Sequence, residues 1–174
     1  GTAATTGQAA AVSVGFAADE ATSTVNLATG YTGALTLDNI VAATLTLGKA
    51  STSTGDMTMT SATTDLTVNA TGAFLLGTNN IVSTDNLLEN VTVTGTKGVT
   101  YDDITGTGIK AVSVTTAGAM DVGDVVASLT ALSTVSYTST GSSGAIISDN
   151  IGSATVTSLT ITESAATAVT QGTI

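Results

Sequence analysis

One recurrence constrains this chain more than any other: an Asn or Asp set just before an aliphatic residue, at Asn39-Ile40, Asn80-Ile81, Asp103-Ile104, Asp124-Val125 and Asn150-Ile151. Short alternating segments lie on either side of these pairs, Leu35/Leu37, Val99/Tyr101 and Met120/Val122 before them, Leu45/Leu47, Val112/Val114 and Val135/Tyr137 after them. A period of about 20–25 residues made only of strands and turns predicts a stacked solenoid, because one coil cannot bury its own apolar face and must lean on the next. The expected fold is all-β, a parallel β-solenoid (β-helix) of about seven coils with ~22 residues per coil, spanning residues 25–174. The phase is lost before Val25, so residues 1–24 are expected to be an N-terminal cap, a leader or a strand donated to another subunit. The start at Gly1 and the stop at Ile174, within the repeat, lead us to expect a processed product or an excised segment.

Three columns carry the period. A first strand begins at Leu45, Leu66, Val91, Val112, Val135 and Leu159, and a second near Leu35, Met57, Leu75, Val99, Met120, Ile146 and Val169. A turn column follows the second at Asn39, Ser61, Asn80, Asp103, Asp124, Asn150 and Thr173. Within the first strand, Val91 and Val93 are expected to point inward and Thr92 and Thr94 outward. Asn and Asp suit the turn column because they tolerate left-handed backbone, and stacked copies can pass hydrogen bonds along a ladder of Asn39, Asn80, Asp103, Asp124 and Asn150. The absence of proline agrees, since each strand needs its N–H groups for the neighbouring rung. The alternative fold is a β-sandwich fibre subunit that donates Thr5 to Phe16 to the next protomer.

Composition narrows the function classes. Charged residues make up 9% of the chain, against roughly 25% in an ordinary globular protein, so Thr, Ser, Gly and Asn must supply the polar surface. Thirteen acidic residues face only Lys49, Lys97 and Lys110, leaving a net charge of −10. Nucleic acid is not an expected partner, since phosphate neutralisation needs clustered Lys or Arg and base stacking needs aromatics, here 3%. Nothing approaches the ~18 consecutive apolar residues of a membrane span, so insertion is not expected. An enzyme is not expected either: the chain has no His, Cys or Arg, and its carboxylates and Ser/Lys combinations show no recognisable catalytic spacing.

The alternation in Asn90-Val91-Thr92-Val93-Thr94-Gly95, Ala111-Val112-Ser113-Val114-Thr115-Thr116 and Ser158-Leu159-Thr160-Ile161-Thr162 resembles the repeat regions of bacterial surface-layer proteins and RTX-associated large secreted adhesins. The resemblance implies secretion, self-assembly and, commonly, calcium dependence. The glycine-aspartate nonapeptide that binds calcium in RTX repeats occurs nowhere here, so calcium binding does not carry over from that motif.

Three further readings come from the residues. Asp102, Asp103, Asp121 and Asp124 form the densest acidic group, and Asp103 and Asp124 on adjacent rungs ~4.8 Å apart are candidates to share one Ca²⁺; the competing reading is a solvated turn. Thr92, Thr94, Ser113, Thr115, Ser136, Thr138, Thr160 and Thr162 are expected to stack into an outward hydroxyl array like the ice-binding face of solenoid antifreeze proteins, although Thr is also an ordinary residue on any exposed β-face. Gly48 and Asn69 are expected to interrupt that array in earlier coils. Asn69-Ala70-Thr71 and Asn90-Val91-Thr92 match the N-glycosylation sequon. The function expected is an extracellular structural module, at the cell surface, that assembles with copies of itself into a surface layer, matrix or fibre, with a cell-surface glycan anchor as a further partner. The alternatives are ice binding, calcium-dependent adhesion and a donor-strand filament subunit.

Overall fold

The computed structural model describes residues 2–5, 11–48, 51–124, 131–141, 146–148, 151, 155–164 and 169–172. Its strands follow the alternation of β-branched and aliphatic residues with Thr and Ser. They are β1 (Thr2–Thr5), β2 (Val12–Leu27), β3 (Leu35–Leu47), β4 (Ser51–Thr52), β5 (Met57–Ser61), β6 (Asp65–Ala70), β7 (Phe74–Leu75), β8 (Ile81–Ser83), β9 (Asn90–Gly95), β10 (Val99–Tyr101), β11 (Ile104–Thr105), β12 (Ala111–Thr116), β13 (Met120–Val122), β14 (Thr134–Ser139), β15 (Ile146–Ser148), β16 (Ser158–Glu163) and β17 (Val169–Gln171).

Every pairing between these strands is parallel, and each joins one coil to the next. The fold is a β-solenoid of about six turns, against the seven coils expected from the sequence. Among the described residues, parallel pairing throughout leaves no place for the hairpins of a sandwich. Each coil has three faces. Face A holds the starts of β2 and β3 and then β5, β8 and β11; face B holds the ends of β2 and β3 and then β6, β9, β12, β14 and β16; face C holds β4, β7, β10, β13, β15 and β17. Strand β3 passes from face A to face B at Asn39, whose φ of 57° turns the chain, so its first residues pair with β5 and its last with β6.

The register corrects the expected columns. Val91, Val112, Val135 and Leu159 stand in one inward line as expected, but Leu66 is preceded in that line by Ala43, while Leu45 stacks on Val25 and Val68. Leu35 and Met57 belong with Ile81 and Ile104 on face A, whereas Val99, Met120, Ile146 and Val169 continue a face C line through Ser51 and Phe74. The cause is physical: each coil has more than one corner where a polar residue precedes an inward aliphatic, so an Asx-aliphatic pair does not say which corner it marks. The stack also reaches ahead of Val25, because β2 crosses that residue, pairs with β3 from Val12 onward and carries β1 on its other side. Val12 to Phe16 thus lie in a strand paired within this same chain.

The core is a column of buried aliphatic side chains, with Tyr31, Phe74, Tyr101 and Tyr137 as its rings. One interior line changes character along the stack, running Leu27, Leu47, Ala70, Gly95, Thr116, Ser139 and finally Glu163. Its first members are fully buried and apolar, Thr116 and Ser139 are equally buried but polar, and Glu163 is half-buried.

Candidate functional site

Hydroxyl side chains have two distinct fates here. At the corners flanking face B they are used internally: Thr64 Oγ1 donates to Val41 O, Thr71 Oγ1 to Leu47 O (3.0 Å), Thr96 Oγ1 to Thr71 O (2.6 Å) and Thr157 Oγ1 to Ser133 O. Each such bond ties a coil to the one before it. On the outward side of face B the hydroxyls stand free of that duty. Three lines cross seven rungs there: a mixed one, Thr22, Ala42, Asp65, Asn90, Ala111, Thr134 and Ser158, and two rich in hydroxyls, Thr24, Thr44, Thr67, Thr92, Ser113, Ser136 and Thr160 in one, and Asn26, Thr46, Asn69, Thr94, Thr115, Thr138 and Thr162 in the other. All are half-buried or exposed, and neither hydroxyl-rich line contains a charged residue, while the mixed line carries Asp65.

The eight Thr and Ser residues singled out from the sequence therefore do come together, as the last four rungs of this face. Sequence reasoning missed the first three. With Ala43 rather than Leu45 as the inward residue that heads its coil, the outward pair is Thr44 and Thr46, and Gly48 lies beyond the strand. Asn69 is in the array as expected. No bulge interrupts the register from Thr22/Ala42 to Ser139/Glu163 on this face. Asn69 and Asn90, the two sequon residues, are both exposed, and Asn90 Nδ2 donates to Asp65 Oδ1 at 2.7 Å.

The Asx residues divide between two corners. Asn39 lies at the corner from face A to face B, where its Nδ2 donates to Phe16 O at 2.6 Å. Ala62, at φ 64°, takes the same corner one coil later, and Asn86, at φ 59°, bends the next. Asn80, Asp103 and Asp124 share a different corner, between faces C and A. There the Asn80 N–H donates to Asp56 Oδ1 (2.8 Å), the Asp103 N–H to Asn80 Oδ1 (3.0 Å) and the Asp124 N–H to Asp103 Oδ1 (3.1 Å). Backbone bonds run the other way, from Met57 N–H to Asn80 O, Ile81 N–H to Asp103 O and Ile104 N–H to Asp124 O. Each step of this ladder is thus clamped twice, once by a side-chain oxygen and once by a carbonyl. Asp56 was missed, though Asp56-Met57 reads like Asn80-Ile81, because the early coils were phased on Asn39. Asn150 lies outside the described residues.

The four aspartates proposed for calcium fall at two places in the fold. Asp103 and Asp124 are on adjacent rungs, with Asp103 Oδ1 engaged in the ladder. Asp121 pairs in register with Thr100 on face C, and the Asp102 N–H donates to Asn79 O. Asp102 and Asp121 edge a depression of about 310 Å³ that is also lined by Gly77, Thr78, Thr100, Tyr101 and Gly123. Among the described residues, no three His, Cys, Asp or Glu side chains gather closely enough to hold a metal ion.

Inside the coil, the hydroxyls of Tyr101, Tyr137 and Ser148 neighbour one another, yet none completes a hydrogen bond of good geometry. Burial pushes the Tyr137 phenol up to about 12, with the nearby Ser148 and Tyr101 hydroxyls acting in the opposite sense. Burial raises Tyr101 and Tyr31 as well. All three phenols lie within the core, and Tyr101 alone of them also borders the depression edged by Asp102 and Asp121. Set against known proteins, the chain matches no family model, no curated protein and no solved structure. Among the described residues, no helix is long and apolar enough to cross a membrane.

Proposed function

We propose that this chain is an extracellular structural module that joins copies of itself into a layer, matrix or fibre. The observation that carries the reading is the last described coil. Strand β16 keeps full register with β14, setting Leu159 and Ile161 in line with the inward Val135 and Tyr137, and β17 keeps register with β15, setting Val169 in line with Ile146. Yet Leu159 and Ile161 are only half-buried, and Val169 is 46% exposed. A further coil of the same kind seated on these strands would bury the three aliphatic side chains and pair the strand edge, and a second copy of the chain can supply one. Such an edge, with neither proline nor lysine in β16 or β17, favours strand addition. The low charge and hydroxyl-rich surface suit a protein that packs densely with itself.

Sedimentation across a concentration series, with electron microscopy of the same samples, tests this. Association that grows with concentration is expected, and Leu159→Lys with Ile161→Lys should weaken it while the circular dichroism of the stack persists. A parent chain that stays monomeric at high concentration overturns the reading.

A further inference from the structure

Interfaces between proteins draw most of their energy from a few aromatic or arginine anchors set in pockets. The outward side of face B has none, and its two hydroxyl-rich lines carry no charge, Asp65 standing in the line beside them. Its distinguishing property is regularity. The rungs are spaced by about 4.8 Å and the two lines by about 6.6 Å, twice the rise of a parallel strand, so the side chains define a two-dimensional net. Only a partner that is itself periodic in both directions can use such a net at every point. Crystalline sugars are periodic, but their flat faces are gripped by aromatic rings, which face B does not present.

The geometry points to the surface of ice as the ligand of face B. The oxygen atoms of ice form a neutral net with repeats of the same order in both directions, and each face B hydroxyl is free to take a place in it. None of the Thr and Ser hydroxyls in the two lines has a hydrogen-bond partner among the described residues, in contrast to the corner hydroxyls. The strands beneath hold the hydroxyls in position through unbroken register and a packed core, so the ordering entropy is largely met by folding, before binding. A threonine contributes a methyl group beside its hydroxyl, which fills the hollows of the net. Ser113 and Ser136 lack that methyl and are adjacent in the same line, so they mark the weak part of the array.

This inference stands apart from assembly through the last coil, and one set of variants separates the two. The purified chain is grown into a slowly advancing ice front, and its partition between ice and melt is measured beside the hysteresis between melting and freezing. The parent should be enriched in the ice and should show hysteresis. Thr94→Tyr with Thr115→Tyr, both outward and in the middle of the face, should lose both effects with no change in melting temperature of the fold. Ser113→Thr with Ser136→Thr should increase both, a gain that a merely structural face would not give. Exclusion of the parent from ice to the level of an inert control protein overturns the proposal. So does loss of self-association in the tyrosine variant with ice partition unchanged, since that outcome would make face B a contact between copies.

Discussion

At the scale of single residues, the ladder from Asp56 to Asp124 shows what an Asx side chain does in a stack. A turn leaves backbone N–H groups that the strand ladder does not reach, and a short side chain with an oxygen at the right height supplies the acceptor from the coil below. Replacing Asn80 with Ala strands the Asp103 N–H in a half-buried corner, and we expect a loss of about 1–3 kcal/mol in denaturant unfolding. Asp103→Asn keeps an oxygen in place and should leave that midpoint nearly unchanged. The buried phenols make a second residue-scale prediction. In the unfolded chain tyrosine loses its proton near pH 10, whereas Tyr137 in the fold holds it to about 12. Stability linked to this proton is intact below pH 10 and is lost as pH rises through 12, so the melting temperature should fall across that window. Tyr137→Phe should flatten the fall and should not lower stability at neutral pH, because it removes a buried hydroxyl that lacks a well-formed partner. The ladder was only partly legible in advance. Residue type announced a turn, but two corners of the coil use the same chemistry, and only register tells Asn39 from Asn80.

At the scale of elements, face B was legible from Val91 onward because its alternation is unbroken and its strands are of equal length. The earlier coils were not, since β2 and β3 each run as one continuous strand through the corner between faces A and B, and β2 shifts register between Gly15 and Glu20. The inward line of face B can be tested directly. Val112 is 1% exposed, between Val91 and Val135, and Val112→Asp sets an unpaired carboxylate there. We expect a loss above about 4 kcal/mol, or no folded protein at all. Near-native melting of this variant would falsify the register. Corners have their own steric demand: a Cβ on Gly118 would collide with the carbonyl of Lys97 in the coil before it. Gly118→Ala should therefore destabilise by at least about 1–3 kcal/mol although no side chain is lost.

At the scale of the whole molecule, a net charge of −10 is carried on a rigid rod with few cations, and Lys110 is already paired with Glu89 at 2.6 Å. Copies approaching each other repel until that field is screened, over about 10 Å at 0.1 M salt. Sodium chloride should strengthen association, and calcium and magnesium at matched ionic strength should act alike. A rise in melting temperature specific to calcium, and absent from Asp103→Asn with Asp124→Asn, would instead assign an ion to that pair. The sequence could not have decided this, because charge is read from composition while the grouping of ligands depends on corners that composition does not locate.

The corners have one more consequence. Paired rungs on face B keep the same strand, yet the chain between them is shorter from Val91 to Val112 than from Leu66 to Val91, and the difference is taken up entirely at the bends. Copying one coil within the gene would therefore lengthen the rod by a single rung and leave every neighbour's surroundings intact. Descent by such duplications would make length a freely inherited trait, adjusted in whole steps, while the pattern displayed along the rod is conserved by geometry alone.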